Sequence, residues 1–162
     1  MTEDDLQRVR AARERGLAKA GEFFGGLPPG QLEVLRARAE ELSKGCGPAI
    51  DREAIGTAYE ADGWMSKADY LEMERIISAL RAGSPIADGE FETMLLFLCE
   101  GREAIVRARV LAFLGELVKR DAPGPDRVAR IEGAIARWRE GPEDLDILYW
   151  AFVRQALDAR PA

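Results

Sequence analysis

Apolar residues fall at helical spacing along almost the whole chain, most densely from Phe91 to Arg120. In the first half of that stretch Phe91, Met94, Leu95 and Leu98 recur on one helix face. Leu96, Phe97 and Cys99 fill the other sides, and a helix apolar nearly all round must be covered nearly all round. A buried strand over Met94–Cys99 competes with this reading, but Leu and Met dominate there and no turn chemistry starts a hairpin. In the second half Ile105, Val106, Val110, Phe113, Leu114, Leu117 and Val118 form a broad stripe. Gly101 between the halves predicts a break, because uninterrupted helices beyond about 25 residues are unusual in globular domains.

Seven further stretches read as covering elements or their connections. Thr2 or Asp4 caps a first helix that runs to about Ala20, with a meagre apolar set of Leu6, Val9 and Leu17. Gly21 to Gly30 reads as a loop from its glycines and prolines, with Phe23 and Phe24 tucked back onto the core. Pro29 to Ser43 carries Leu32, Leu35, Ala39 and Leu42 in a three-four pattern. A short helix from Asp51 to about Glu60 turns Ile55 and Tyr59 inward, and Ala61 to Met65 is a turn. Ser66 caps the next helix, which reaches Arg81 and buries Tyr70, Met73, Ile77 and Leu80. Asp88 is the expected cap of the central stretch. After Asp121–Pro125, one helix places Val128, Ile131, Ile135 and Trp138 on a stripe, and a last helix from Pro142 buries Leu145, Leu148, Tyr149, Phe152 and Val153.

The result is an all-α chain of about eight helices in four hairpins, one compact bundle-like domain over residues 1–162 with its core helices within 88–120. A HEAT-like α-solenoid is the alternative, because Pro48, Pro85 and Pro125 recur at 37 and 40 residues, near the period of two-helix repeats. The fully apolar central helix favours the bundle, since in a stack each element meets only its neighbours.

Composition narrows the function. With 47% hydrophobic and 32% charged residues, the chain is globular rather than disordered. The start, MTEDDLQRVR, has no apolar signal region, and no stretch approaches the roughly 20 residues of a membrane span. Two cysteines make no disulfide framework, so a reduced, cytoplasmic setting is expected. Histidine is absent, which removes Ser-His-Asp and Cys-His catalysis and histidine metal sites. The net charge is −6, with 11 acids and 4 bases between residues 51 and 100 and 6 acids and 9 bases between residues 101 and 140. That balance argues against nucleic acid, whose reading rests on Arg102, Arg107, Arg109, Arg127, Arg130 and Arg137. An acidic middle and a basic third quarter equally fit internal complementarity.

Candidate chemistry is sparse. Cys46, between two glycines, is accessible but has no base to activate it, and Cys99 reads as a buried small side chain. Gly25 to Gly30 lacks the spacing and the lysine of a phosphate loop, and Asp4-Asp5 and Glu40-Glu41 complete no paired-carboxylate pattern. No enzyme and no cofactor are expected. The densest carboxylate set, Asp51, Glu53, Glu60, Asp62, Asp69, Glu72 and Glu74, surrounds Trp64, a loop tryptophan that the helix start does not need. A non-catalytic adaptor, inhibitor or regulatory subunit follows, contacting a basic protein through Glu60, Asp62, Trp64, Asp69 and Glu72. Packing of Trp64 back over the neighbouring hairpin is the leading structural reading of that residue, and self-association is left open.

A divalent-ion site using Asp62, Asp69 and Glu72 is the second reading. The segment TAYEADGWMSKADYLEMERIISAL resembles the Ala-Asp-Gly segment of TerB-like tellurite-resistance domains. Lys119-Arg120-Asp121 stands roughly where that family's second acidic turn falls, without its Asp-Gly pair. The resemblance implies divalent ions near Asp62.

Overall fold

The computed structural model describes residues 1–45 and 50–161, and the candidate thiol Cys46 lies outside them. Among the described residues there are eight α-helices and no strand: α1 (Glu3–Gly25), α2 (Pro29–Ser43), α3 (Arg52–Ala61), α4 (Lys67–Arg81), α5 (Asp88–Glu100), α6 (Ala104–Asp121), α7 (Pro125–Ile135) and α8 (Asp144–Asp158). A 3₁₀ turn, Ala136–Glu140, continues α7. No helix among these residues is long and apolar enough to cross a membrane.

The expected break in the central stretch is present, and its cause is steric. A Cβ on Gly101 would stand 2.8 Å from the Phe97 carbonyl, so a side chain there collides with the helix end it follows. The chain leaves α5 at Gly101 in a non-helical conformation and restarts at Ala104. Phe91, Met94 and Leu98 of α5, and Val106, Val110, Leu111, Leu114 and Leu117 of α6, are almost wholly removed from solvent.

Helix α6 is the keel. It packs along α8 on one side and against α5 on the other, while α1 lies across α8 and α3 pairs with α4. Contact between the first and last helices is a bundle closing on itself, which a stack of neighbours does not do. The α6–α8 approach is set at Gly115, where a Cβ would come within 2.2 Å of the Phe152 ring. Arg107 of α6 and Asp146 of α8, both buried, close the same seam with a two-pronged ion pair of 2.6 and 2.8 Å. Charges removed from water must be paired or they cost several kcal/mol each.

Arginines tie successive hairpins together by their helix ends. The last carbonyls of a helix lack intrahelical partners and carry the negative end of its dipole, so cations are favoured there. Arg120 donates to the carbonyls of Leu80 and Arg81 at the end of α4, and Arg137 to those of Leu98 and Cys99 at the end of α5. Arg107 reaches the Gly101 and Arg102 carbonyls, Arg127 that of Ile86, and Arg160 that of Pro123. Arg109 meets buried Glu74, Arg127 also binds Asp88, and Arg130 binds Glu92. Three arginines of the basic third quarter, Arg109, Arg127 and Arg130, thus pair with carboxylates of the acidic second quarter.

Four local expectations are corrected. Helix α1 continues through Gly25, so Phe23 and Phe24 are helical and stay 61% and 47% exposed instead of tucking inward. Burial in α1 stops at Ala12, and beyond it Arg15 and Lys19 reach Asp144 of α8 from the surface. Ala87, not Asp88, is the cap position of α5: its N–H donates to Glu90, and Asp88 faces Arg127 instead. Cys99 is exposed, because it points away from the face that α6 covers. Trp138 is in the 3₁₀ turn rather than a core stripe, sandwiched between the guanidinium groups of Arg107 and Arg137 at 4.6 and 4.3 Å.

Two predictions follow from this packing. Gly115→Ala forces Phe152 out of place, and overpacking of this kind costs about 1–3 kcal/mol, read as a lower urea midpoint at unchanged slope. The second concerns the α1–α8 seam, which is held by carboxylates. Burial pushes the Asp5 carboxyl up, but the Thr2 N–H and Arg139 outweigh it and hold it down at about 2. The Arg15 hydrogen bond lowers Asp144, and Arg154 with the terminal amine lowers Asp158. Because these values are depressed, their stabilisation is complete above the unfolded carboxylate range near 4 and is lost as pH falls towards about 2. On acidification, hydrogen exchange in α1 should accelerate before that in α6. Unchanged α1 protection down to about pH 2 would contradict the assignment.

Candidate functional site

The turn between α3 and α4 carries Trp64 in a fixed pose. Gly63 takes a left-handed conformation, φ +71°, which a side chain would strain. The Trp64 N–H then donates to the Tyr59 carbonyl at 3.0 Å and closes the end of α3. The indole stands edge-on to the Tyr59 ring, 5.1 Å between centroids, and Tyr59 packs on Tyr70 at 4.6 Å. Trp64 is thus half-buried on its own hairpin and keeps one side towards solvent.

That open side forms one wall of a cleft. Trp64 and Met65 from the turn, Asp69 from the first turn of α4, Phe97 and Glu100 from the end of α5, Gly101, and Val106 of α6 line a hollow of about 120 Å³. Small-molecule sites usually occupy roughly 300–1,000 Å³, so this space is closer to the size of a single side chain. Its lining mixes apolar side chains with two carboxylates, Asp69 and Glu100. Among the described residues neither Asp69 nor Glu100 is ion-paired.

Glu100 is the more informative of the two. It is the last residue of α5, where the helix dipole disfavours a negative charge. Asp69, by contrast, is in the favourable first turn of α4. The cleft therefore collects two carboxylates and the negative end of α5, a field that attracts a cation. Its far wall is anchored in the core: Arg107, paired with Asp146, holds the Gly101 and Arg102 carbonyls at 3.3 and 2.6 Å.

The five residues expected from the sequence do not all converge. Trp64 and Asp69 line the cleft. Glu60, in the last turn of α3, accepts the Lys67 N–H at 2.8 Å across the turn. Asp62 is the exposed cap residue of α3. Glu72 is gripped by Arg75 through two hydrogen bonds of 2.7 and 2.8 Å, and that guanidinium lowers its pKa. Among the described residues no three acidic, cysteine or histidine side chains are grouped to hold a metal ion, so Asp62, Asp69 and Glu72 stand apart. Of the six arginines of the nucleic-acid reading, four are ion-paired and Arg137 is held by backbone carbonyls; Arg102 alone has no side-chain partner among the described residues.

Phe97, Glu100 and Gly101 were not singled out from the sequence, although a signal existed. A glutamate closing an apolar helix, directly before a helix-breaking glycine, is a charge at the wrong end of a dipole.

Compared with protein families, curated proteins and solved structures, the chain finds no match.

Proposed function

We propose that the protein is a non-catalytic, cytoplasmic protein-binding module, an adaptor or regulatory subunit, whose acidic face receives a basic segment of another protein. The observation that carries this reading is a small hollow lined both by the Trp64 indole and Phe97 and by two carboxylates, Asp69 and Glu100, that have no ion-pair partner among the described residues. Nearly every other carboxylate in that half of the chain has an arginine, a lysine or a backbone N–H. A lysine or arginine from the partner would lay its aliphatic stem on Trp64 and Phe97 and place its charge between the two carboxylates. Asp62, exposed on the same turn, adds long-range attraction. The absence of a metal or nucleotide constellation does not decide the reading; the shape and sign of the cleft support it.

The test is capture from a lysate of the native host with three baits: wild type, Trp64→Ala, and Asp69→Lys with Glu100→Lys. All three should show the same far-ultraviolet circular dichroism, since Asp69 and Glu100 are exposed and truncating the half-buried Trp64 leaves the helices themselves intact. A protein retained by wild type, lost with both variants and released by salt is the expected result. Equal recovery on all baits, or no stoichiometric capture by wild type, would overturn the reading.

A further inference from the structure

The largest unpartnered apolar surface is not the cleft but the N-terminal arm. Past Ala12 helix α1 buries nothing, and α2 buries no residue at all. Leu17, Phe23, Phe24, Val34, Leu35 and Leu42 are exposed there, Val34 by 68%. Phe23 and Phe24 stack edge-to-face on each other, 5.3 Å apart, rather than on the body. A 15-residue helix that buries none of its own residues is marginal in water, so α2 gains stability from whatever covers it.

Charge says what that cover is. Helical spacing places Gln31, Val34, Leu35, Arg38, Glu41 and Leu42 on one face of α2. The two charges on this face are bound to each other, Arg38 to Glu41 at 3.0 Å. The face is neutral and offers no unmet charge to a basic or an acidic partner. Residues 1–50 carry 8 acids and 8 bases, so the whole net charge of −6 lies in the remainder of the chain. Two bodies of that charge repel each other everywhere except through the arm. In area the arm also suffices. Large apolar side chains present on the order of 100 Å² each when mostly exposed, and six of them approach the ~800 Å² that one partner gives a standard interface.

We propose that a second copy of this chain covers the arm, with α2 of each copy against the arm of the other in an isologous contact centred on Val34 and Leu35. A two-fold axis lets one apolar, self-neutralised face serve both partners. The hollow of about 390 Å³ lined by Gly30, Gln31, Val34 and Leu35 is where the other copy's side chains enter. The cleft under Trp64 lies elsewhere, so this contact stands or falls independently of the basic partner.

Sedimentation equilibrium of the full chain, in reductant because Cys99 is exposed, tests it. The wild type should move with concentration from 17.9 kDa towards twice that mass. Added salt should tighten the dimer by screening the repelling bodies. Val34→Glu and Leu35→Glu should each weaken it by about tenfold or more, since each brings an unpaired charge into an apolar contact. Circular dichroism of the body should not change, because α2 supports nothing beneath it. A wild type that stays at 17.9 kDa at every concentration would overturn the proposal and leave the arm to a different occupant. A dimer that survives both substitutions, or that salt dissociates, would overturn it as well.

Discussion

The approach of α6 to α8 governs the rest of the molecule. Gly115 lets the Phe152 ring sit against the α6 backbone, and a few turns away Arg107 and Asp146 meet out of water. An unpaired charge at either position would be costly, so the pair fixes the register of the two helices more tightly than apolar contacts alone. Register matters for everything stacked on the seam. Arg107 also holds the α5–α6 turn by its carbonyls, and Trp138 lies over the same guanidinium. The far wall of the acidic cleft is in this sense an extension of the core.

Arginine does in this chain what asparagine and histidine often share elsewhere. Both of those residues are absent from the sequence. Guanidinium groups cap the ends of α4 and α5 and reach the turns that follow them, while others neutralise the carboxylates of the second quarter. A group with five donors in a rigid fork can satisfy two carbonyls at once, as Arg120 and Arg137 do. This leaves the protein with an acidic surface whose positive charges are mostly spoken for. Among the described residues between 51 and 100, Asp62, Asp69 and Glu100 are the carboxylates without a cation or backbone N–H partner, and only Asp69 and Glu100 line the hollow beside Trp64.

Much of this architecture was legible in the sequence, and the reasons are local. The all-α class, the eight helices and the break at Gly101 follow from periodicity, proline placement and capping residues such as Thr2, Asp51 and Ser66. The errors over the N-terminal arm share one cause. Leu35, Leu42, Phe23 and Phe24 show the pattern of a buried face, but pattern reports that a surface is apolar, not that the chain itself supplies the cover. Trp64 was recognisable as a residue the turn did not require, and Asp69 came with it. Glu60 and Glu72 looked equally available in sequence, since a carboxylate list cannot show which members are already bound to Lys67 or Arg75. The cleft's other half comes from α5, about thirty residues downstream by sequence, and only tertiary packing brings it there.

The central physical claim is that a rigid keel, α6 with α8, carries a helical arm whose second helix, α2, buries none of its residues among those described. Native-state hydrogen exchange, read helix by helix at dilutions where the chain sediments as one copy, measures this directly. Amides of α6 and α8 should exchange only through global unfolding, and those of α2 should exchange orders of magnitude faster through local opening. If α2 were protected to the same limit as α6 in the single copy, the arm would be part of the packed body and the account would be wrong.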